Sequence, residues 1–527
     1  MKKLLFFSYF ISSLAGLGFS QEHNKATTPK LVIGIVVDQM RYDYLENFGP
    51  YFSENGFKKL QKKGFCYSNL NYNYKPTYTG PGHASIFTGT TPSSHGIVGN
   101  NWYSHEEGKS VYCVKVPIDS GFTLSPNRML SEGIADVIKS TNGAKAYGVA
   151  LKDRGAILPA GYSADGAYWF SSESGKWESS SFYNQQSPKY LNQFNKRDFK
   201  SEALAKNWTL HNALIGEEIN WLENSEPVKL QNFEHNLDSS FIEHKWNLIK
   251  AIPYGNQLTV DFAMDLIKEE ELGLDSILDF LSVSFSATDY VGHIYGVESP
   301  ETVDTYLQLD KSLAKFIEFL DQQVGEDNYV LFLSSDHGAD FSREYLIKHE
   351  VLSGRLNVTE MKHGLDSALD YNFGEEDWIV SMQNLNVYFK KDLKLKYKSK
   401  LEAIFDVSVS YLSSFDGIDA IIITSDSIQG NKVNNDVLMN GYLKERSGDL
   451  ILQEAKHWTS YSDQGSTHGS LYDYDTHVPF LIYGAGVSNG TSAKSYSIVD
   501  IAPSICNLIG IEAPSSSNGI IITEHKK

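Results

Sequence analysis

Cysteine is scarce in this chain of 527 residues, which contains only Cys66, Cys113 and Cys506. Three cysteines allow at most one internal disulfide, and Cys66 with Cys113 is a pairing that the sequence leaves open. Small folds that depend on a disulfide framework carry far more cysteine for their length. The fold therefore rests on hydrophobic burial, and a content of 41% hydrophobic and 21% charged residues suits a large globular core.

Basic side chains are also in short supply. The chain has 46 Lys and Arg residues against 65 Asp and Glu residues, a net charge of -19 at pH 7. It contains no continuous basic block, which argues against a nucleic-acid backbone as its partner. An acidic protein that acts on anionic substrates must concentrate positive charge locally, with metal ions or with a few placed Lys and Arg residues.

Long apolar runs are missing after residue 20, so no later stretch is long enough to span a bilayer. Residues 1–20, MKKLLFFSYFISSLAGLGFS, combine two lysines, an apolar run and the small residues Gly18 and Ser20. This pattern predicts a secretory signal peptide. No cysteine ends it, which argues against a lipoprotein anchor. We expect an exported protein, periplasmic or secreted, without membrane contact.

What the sequence does contain is a repeated order of buried strands and helices. Residues 31–37, LVIGIVV, are continuously apolar and rich in β-branched side chains, which is typical of a strand covered on both faces. A strand at 276–286, an amphipathic helix at 301–324 and a strand at 329–335 follow later. This succession predicts an α/β fold with a central, mostly parallel sheet and helices on both faces.

Two stretches interrupt that order. Residues 162–253 are aromatic and polar, and residues 339–384 are irregular, after which NVYF, AIIIT and GDLILQ again resemble strands. We interpret residues 21–527 as a single domain with cap-like insertions near 162–253 and 339–384. The sequence leaves open whether the first insertion walls a site or is only a surface excursion.

The segment 72–96, YNYKPTYTGPGHASIFTGTTPSSHG, places the hydroxyl of Thr79 just before a short predicted helix at 81–87. Gly, Pro and Gly follow Thr79, and Pro in a first helical turn is a start signal. A hydroxyl there is close to unpaired backbone N–H groups and to the positive end of the helix dipole, which suits transfer of an anionic group. Taken alone, the segment fits an N-cap threonine better than a nucleophile.

Three aspartates, Asp38, Asp289 and Asp336, each follow the end of an apolar strand. Open α/β sheets bind ligands outside the carboxyl ends of their strands, so we expect these side chains to meet. Asp289 and His293 are spaced i, i+4, which puts both on one face if the turn is helical. One metal ion can then bind both side chains.

Two further histidines complete the set of candidate metal ligands. His337 is adjacent to Asp336, and the two can bind one ion only if the strand has already broken into a turn, which Gly338 permits. His468 lies between two glycines in a polar loop. Carboxylates and imidazoles without a thiolate suit zinc or a similar divalent ion in a catalytic site, and there are enough of them for two ions.

Six segments of the chain, taken together, resemble a known group of enzymes. In chain order they are VVDQMRYDYL, NYKPTYTGPGHASIFTGTTPSSHGIVGN, LKDRGAILPAG, SATDYVGH, SSDHG and GSTHGSLYDYDTHVPF. They resemble the alkaline phosphatase superfamily, most closely the PafA-type phosphate-irrepressible enzymes of bacteria, with nucleotide pyrophosphatase/phosphodiesterases as nearer relatives than sulfatases. The resemblance covers most of residues 31–510. Sulfatases need a C-x-P-x-R context, which Cys66 lacks.

The resemblance implies an alkaline-phosphatase-like catalytic domain with two zinc ions and a Thr79 nucleophile that is phosphorylated in each turnover. The implied residues are Asp38, Asp336 and His337 for the ion beside Thr79, which is itself a ligand; Asp289, His293 and His468 for the second ion; and Asn100, Lys152 and Arg154 for the phosphoryl oxygens. Since these fill two open sites, we interpret other acidic and imidazole side chains of the same motifs as supporting residues: His83, His95, His477, Asp43, Asp340, Asp473 and Asp475.

Charge distinguishes a monoesterase from a diesterase. The net charge of two zinc ions, three carboxylates and a Thr79 alkoxide is zero. Lys152 and Arg154 therefore supply the excess positive charge of the site. A phosphate monoester is a dianion at alkaline pH and a diester a monoanion, so this pair matches the monoester. We expect a monomer that hydrolyses small phosphate monoesters. The alternatives are a phosphodiesterase or nucleotide pyrophosphatase with the same residues, and a metal- or phosphate-binding protein without turnover.

Overall fold

The computed structural model describes residues 28–183, 186–221, 227–424 and 436–527, so the predicted signal peptide lies outside the described residues. Its centre is a ten-stranded sheet. The strands are, in chain order, β1 (Leu31–Val37), β2 (Phe65–Asn71), β3 (Ala146–Ala150), β4 (Gly166–Ser171), β5 (Lys176–Glu178), β6 (Asp279–Phe285), β7 (Tyr329–Ser334), β8 (His477–Gly484), β9 (Gly490–Ser492) and β10 (Tyr496–Ser497).

The strand order across this sheet is β9-β2-β8-β7-β1-β6-β3-β4-β5, and β10 also pairs with β2. The five central strands from β7 to β4 are all parallel. Strand β8 is antiparallel to both of its neighbours, β7 and β2. The prediction of an α/β fold with a central, mostly parallel sheet is confirmed.

Strand β1 is buried on both faces, because alternate residues enter two separate apolar cores. Ile33 and Ile35 belong to one core, and Val32 and Val36 belong to the other. The helices used in the description of the core and the site are α1 (Phe57–Lys63), α2 (Thr79–Thr88), α3 (Ile134–Lys139), α4 (Asp153–Ala160), α5 (Tyr254–Glu269), α6 (Ala287–Tyr295), α7 (Pro300–Gln323), α8 (Val358–Phe373), α9 (Leu401–Leu412) and α10 (Ile501–Ile509). Helices α5 and α7 cover the first core, and α2, α3 and α10 cover the second.

A second, four-stranded antiparallel sheet forms a unit of its own, which we call the cap unit. Helices α8 and α9 pack with it around a separate core. Its strands, in spatial order, are Ile379–Gln383, Asn386–Phe389, Leu450–Glu454 and Ile418–Ile423. The cap unit thus continues well beyond the expected insertion of 339–384. Its later strands carry the same apolar pattern as main-sheet strands, so the sequence alone does not separate them.

The first expected insertion, 162–253, begins with main-sheet structure, because β4 and β5 lie within it. The remainder holds short two-stranded ribbons, and its side chains Trp208, Ile219 and Trp221 pack into the core under α5 and α7. The ribbons pair Trp208–Thr209 with Glu234–His235 and Glu218–Ile219 with Val228–Lys229. This stretch therefore contributes to the main core and is more than a surface excursion.

Two hairpins follow α2 in the chain, Asn101–Ser104 with Lys109–Tyr112 and Lys115–Ile118 with Gly121–Leu124.

Cys66, Cys113 and Cys506 are buried and free, so the possible bridge between Cys66 and Cys113 is not formed.

Within the described ranges, no helix has both the length and the apolar character needed to cross a membrane.

Candidate active site

The candidate site lies at the carboxyl ends of β1, β6 and β7. Asp38 directly follows β1, Asp289 lies in the first turn of α6 after β6, and Asp336 comes two residues after β7. Because β1 runs parallel between β6 and β7, the three strand ends meet at one edge. Asp38 and Asp336 are fully buried and Asp289 is only 2% exposed. The expectation that three strand-end carboxylates come together matches this geometry.

Thr79 is the first residue of α2, and Tyr78 occupies the N-cap position without a side-chain capping bond. The alternative interpretation of Thr79 as the N-cap is therefore wrong. The side chain is nearly inaccessible, at 1% exposure. Its Oγ1 accepts long hydrogen bonds from Lys152 Nζ at 3.5 Å and from Arg154 Nη2 at 3.4 Å. The hydroxyl thus lies directly beside two cations.

One cluster able to hold a metal ion consists of Asp289, His293 and His468. Asp289 and His293 lie one turn apart on α6, as their spacing predicted. His293 Nε2 is 3.1 Å from Asp289 Oδ1, and His468 Nε2 is 3.6 Å from the same oxygen. We call this the α6 cluster.

A second cluster able to hold a metal ion consists of Asp38, Asp289 and His337. We call it the β1 cluster. The resemblance implied Asp336 in place of Asp289 here, and Asp336 Oδ2 lies 3.6 Å from His337 Nε2, as does Asp38 Oδ1. Strand β7 ends at Ser334, before these residues, so Asp336 and His337 are free to turn toward the same site.

The three histidines of these clusters share one orientation. Each donates its Nδ1–H to a backbone carbonyl: His293 to Ser466 at 2.7 Å, His468 to Thr77 at 2.8 Å and His337 to Gly338 at 2.9 Å. A carbonyl only accepts, so Nδ1 must carry the proton and Nε2 presents its lone pair to the cluster. Carbonyls hold metal-binding histidines in this tautomer.

Several buried atoms at the site have no hydrogen bond that would compensate their burial. They are Oδ1 of Asp38, Oδ2 of Asp336 and Nε2 of His337. Burial first, and then the charge of Asp336, raise the pKa of Asp38, and burial raises the pKa of Asp336 to about 7. Acceptor atoms crowded in this way need a cation. The donor set of carboxylates and imidazoles fits a divalent ion such as zinc.

Lys152 connects the two clusters. Its Nζ lies 2.7 Å from Asp38 Oδ2 and 2.6 Å from Asp289 Oδ2, and its side chain is only 2% exposed. Burial alone would lower the pKa of Lys152, but Asp289 and Asp38 raise it above its ordinary value. Likewise, burial would raise the pKa of Asp289, but His293 and Lys152 hold it well below its ordinary value. Lys152 is therefore a fixed positive charge.

Arg154 is held by Tyr112, a residue that the sequence did not single out. Arg154 Nη1 donates to Tyr112 OH at 3.2 Å, and Tyr112 OH donates to Asp153 Oδ1 at 2.5 Å. On the other side of the guanidinium, Nη2 reaches Thr79 Oγ1. Tyr112 thereby orients the guanidinium toward Thr79.

We expect Tyr112→Phe to raise KM for a phosphate monoester three- to tenfold with a smaller change in kcat, because it removes one hydrogen bond that orients Arg154. Steady-state kinetics with an aryl monoester and an aryl diester would measure this. Tyr103→Phe, in the partner strand of the same hairpin, is the matched control. Equal losses of kcat for both substrates would contradict this positioning role for Tyr112.

Asn100 is also oriented from within the site. Gly80 N donates to Asn100 Oδ1 at 2.7 Å. This bond occupies the side-chain oxygen, so the Nδ2 amino group is the part of Asn100 that can donate to a ligand. Gly80 directly follows Thr79, which brings the amide close to the hydroxyl. Asn100, Lys152 and Arg154, the three residues implied for phosphoryl oxygens, are thus all connected to Thr79 or its neighbour.

Gln39 is a further site residue that the sequence analysis missed. Its Nε2 donates to Asp289 Oδ1 at 2.9 Å, and its backbone N donates to Asp336 Oδ1 at 3.2 Å. Gln39 has a left-handed backbone with φ of 65°, which is unusual for a residue other than glycine. Its place directly after Asp38 was the only available signal.

The residues interpreted as supporting have partners of their own. His83 donates from Nδ1 to the Thr79 carbonyl at 2.8 Å and accepts at Nε2 from Ser284 Oγ at 2.8 Å, so neither nitrogen is left for an ion. The other contacts are His95 with Ser85, His477 with the Ser68 carbonyl, Asp43 with Arg41, Asp340 with His457, and Asp475 with the amides of Gly469 and Ser470; Asp473 is exposed.

Comparison with known proteins agrees with this geometry. The family described as type I phosphodiesterase / nucleotide pyrophosphatase matches residues 32–478. The chain is 36% identical to alkaline phosphatase PafA of Elizabethkingia meningoseptica, over 99% of this chain and 98% of that protein. A Myroides odoratus protein named calcium-transporting ATPase is 36% identical, over 95% of each chain. Alkaline phosphatase PhoV of Synechococcus elongatus is 35% identical, over 94% and 92%.

The fold is similar as well. The crystal structure of wild-type PafA superposes with a TM-score of 0.87 at 35% identity, covering 96% of this chain and all of that one. The family match spans β1 to the start of β8 and includes every residue of the α6 and β1 clusters. The chain therefore belongs to the type I phosphodiesterase / nucleotide pyrophosphatase family, within the alkaline phosphatase superfamily.

Proposed function

We propose that this protein is an exported, zinc-dependent alkaline phosphatase that hydrolyses phosphate monoesters through a phosphothreonine at Thr79. One observation carries the proposal: the buried Thr79 hydroxyl lies within 3.5 Å of Lys152 and Arg154, and Lys152 contacts the carboxylates of both clusters. Nucleophile, cations and metal-competent side chains thus converge at one point. The names of PafA and PhoV support the reaction class.

Each residue has a role in two successive displacements. Thr79 Oγ attacks phosphorus, the P–O bond to the alcohol breaks, and the alcohol leaves. Water then attacks the phosphothreonine and releases inorganic phosphate and the Thr79 hydroxyl. Asn100, Lys152 and Arg154 donate to the phosphoryl oxygens, whose negative charge is spread in the transition state. When bound, zinc at the two clusters supplies Lewis acidity to the attacking and leaving oxygens.

The balance of charge favours a monoester over a diester. Lys152 is buried and fixed between two carboxylates, and Arg154 is aimed at Thr79 by Tyr112. Once the carboxylates bind metal, both cations are available to a dianionic phosphoryl group. A diester carries one negative charge fewer, so Lys152 and Arg154 stabilise it less.

We expect the double variant Lys152→Ala with Arg154→Ala to lose about 100-fold or more in kcat/KM for an aryl monoester, because two charged hydrogen bonds are removed. The loss for an aryl diester should be about tenfold or less, since its phosphoryl group carries less charge. Arg154→Lys is the matched control, which keeps the charge and loses the forked geometry. Rates for both substrates, measured on each variant, test the proposal.

A phosphodiesterase is the second candidate, because the matching family is itself named for diester and pyrophosphate hydrolysis. A preference of the native protein for the diester would support it. Lack of turnover of either ester would support the metal- or phosphate-binding alternative.

Export is proposed on residues 1–20 alone, and fractionation of expressing cells tests it. A monomeric state is part of the same proposal, and light scattering on the purified protein tests it.

A further inference from the structure

A cavity of about 240 Å³ opens beside the α6 cluster, and we call it the side pocket. Its wall includes His468 and Gly469 from the site and Tyr78, the residue before Thr79. Val358 and Leu385 of the cap unit line it from the other side. A group attached to phosphorus at Thr79 through an oxygen near the α6 cluster would extend into this space.

Four aromatic residues line the side pocket: Tyr78, Trp458, Tyr461 and Tyr474. The Tyr461 ring lies 5.3 Å from the His293 ring, and the Tyr78 ring lies 5.6 Å from the His468 ring. The aromatic walls therefore begin at the histidines of the α6 cluster.

Trp458 is fixed by its packing. A Cβ atom at Gly417 would lie 2.0 Å from the indole, and one at Gly354 would lie 2.4 Å from it. The two glycines thus let the backbone at residues 354 and 417 approach the ring closely. The indole is thereby in contact with backbone on two sides.

The charged side chains of the side pocket are mostly acidic: Asp340, Glu454 and Asp475. Among its described lining residues, Lys75 is the only Lys or Arg, and it is paired with Glu454 and with the Leu452 carbonyl. Asp475 is fully buried, and its Oδ1 has no hydrogen-bond partner. Asp340 is paired with His457. The pocket therefore combines an acidic lining with aromatic residues, and its lysine is already engaged by Glu454.

We propose that the side pocket receives the leaving alcohol and favours alcohols that carry an ammonium group over uncharged or anionic ones. This rests on the proposed monoesterase function and names the substrate class for it. An ammonium group is attracted to the faces of Trp and Tyr rings and to nearby carboxylates. An anionic alcohol would approach Asp340 and Glu454, whose partners His457 and Lys75 are already engaged by those carboxylates.

The test compares phosphocholine with 3,3-dimethylbutyl phosphate, which has the same shape without the charge. The two alcohols differ in intrinsic reactivity, so the decisive quantity is the change in their kcat/KM ratio between native protein and Tyr461→Leu. We expect the ratio to fall about tenfold in Tyr461→Leu, because the ring face is lost. Tyr461→Phe keeps the face and should keep the ratio. Tyr461 is 39% exposed, so both variants should fold.

An unchanged ratio in Tyr461→Leu would overturn the inference, as would a loss of kcat/KM in Tyr461→Leu that is as large for 2-phosphoglycolate as for phosphocholine. An aryl monoester serves as the reference in every assay. If the aryl monoester is hydrolysed and the ratio does not respond, only the side-pocket inference fails. If no monoester is hydrolysed, the proposed function fails, and the inference that rests on it fails too.

Discussion

Thr79→Ala is expected to lower kcat/KM for an aryl phosphate monoester by about 10⁴-fold or more, because the covalent route is lost with the nucleophile. The side chain is buried at 1% exposure beside Lys152 and Arg154, so water is poorly placed to substitute for it. Thr79→Ser is the matched variant, which keeps the hydroxyl and should stay within about tenfold of the native rate. Stopped-flow and steady-state rates measure both.

A trapping experiment tests whether Thr79 is the residue that becomes phosphorylated. Acid quenching during turnover of a monoester labelled at phosphorus should leave label on Thr79 in the native protein and on the serine in Thr79→Ser. Peptide mapping identifies the labelled residue. Label at another residue, or a Thr79→Ala protein that keeps a tenth of the native rate, would contradict a phosphothreonine intermediate.

Metal removal should also have a large effect, on both activity and stability. We expect a chelator to reduce monoester hydrolysis by about 100-fold or more and to lower Tm, and zinc to restore both. The carboxylates of Asp38 and Asp336 are buried together without full compensation, so an ion that binds only the folded state supports catalysis and stability alike. Activity, differential scanning calorimetry and elemental analysis of the purified protein report these effects separately.

His468→Ala provides the matched test of that expectation, with His477→Ala as the control histidine outside both clusters. His468→Ala should lose part of the bound zinc and most of the activity, whereas His477→Ala should keep both. Unchanged activity and Tm after exhaustive chelation would rule out a metal-dependent reaction. Full restoration by magnesium alone would argue against zinc as the ion.

Much of the fold and the convergence of the site residues could be predicted from sequence, because strong local signals carried them. The apolar run before Asp38 marked a strand buried on both faces, and the carboxyl ends of parallel strands meet at one edge of the sheet. The i, i+4 spacing of Asp289 and His293 needed only a helical turn, which α6 supplies. The roles of these residues in catalysis remain predictions.

Other features had no local signal. Tyr112 reaches Arg154 from a hairpin about 40 residues earlier in the chain, and Gln39 contacts Asp289 across 250 positions. The sharing of Asp289 between two clusters depends on side-chain geometry that spacing does not encode. The extent of the cap unit was missed because strands such as Ile418–Ile423 have the same apolar pattern in either sheet.

The carbonyls that hold His293, His337 and His468 have a consequence for how the site tolerates substitution. A carbonyl belongs to the backbone, so the accepting groups at Thr77 and Ser466 do not depend on which side chain stands there. Gly338 differs, because a Cβ atom there would lie 2.1 Å from the Tyr474 carbonyl oxygen. Side-chain changes at Thr77 and Ser466 would leave the accepting carbonyls in place, and sequence comparison of those two positions would not detect them. Changes that redirect the chain, such as a proline or a one-residue insertion beside them, would turn the imidazoles away from the two clusters.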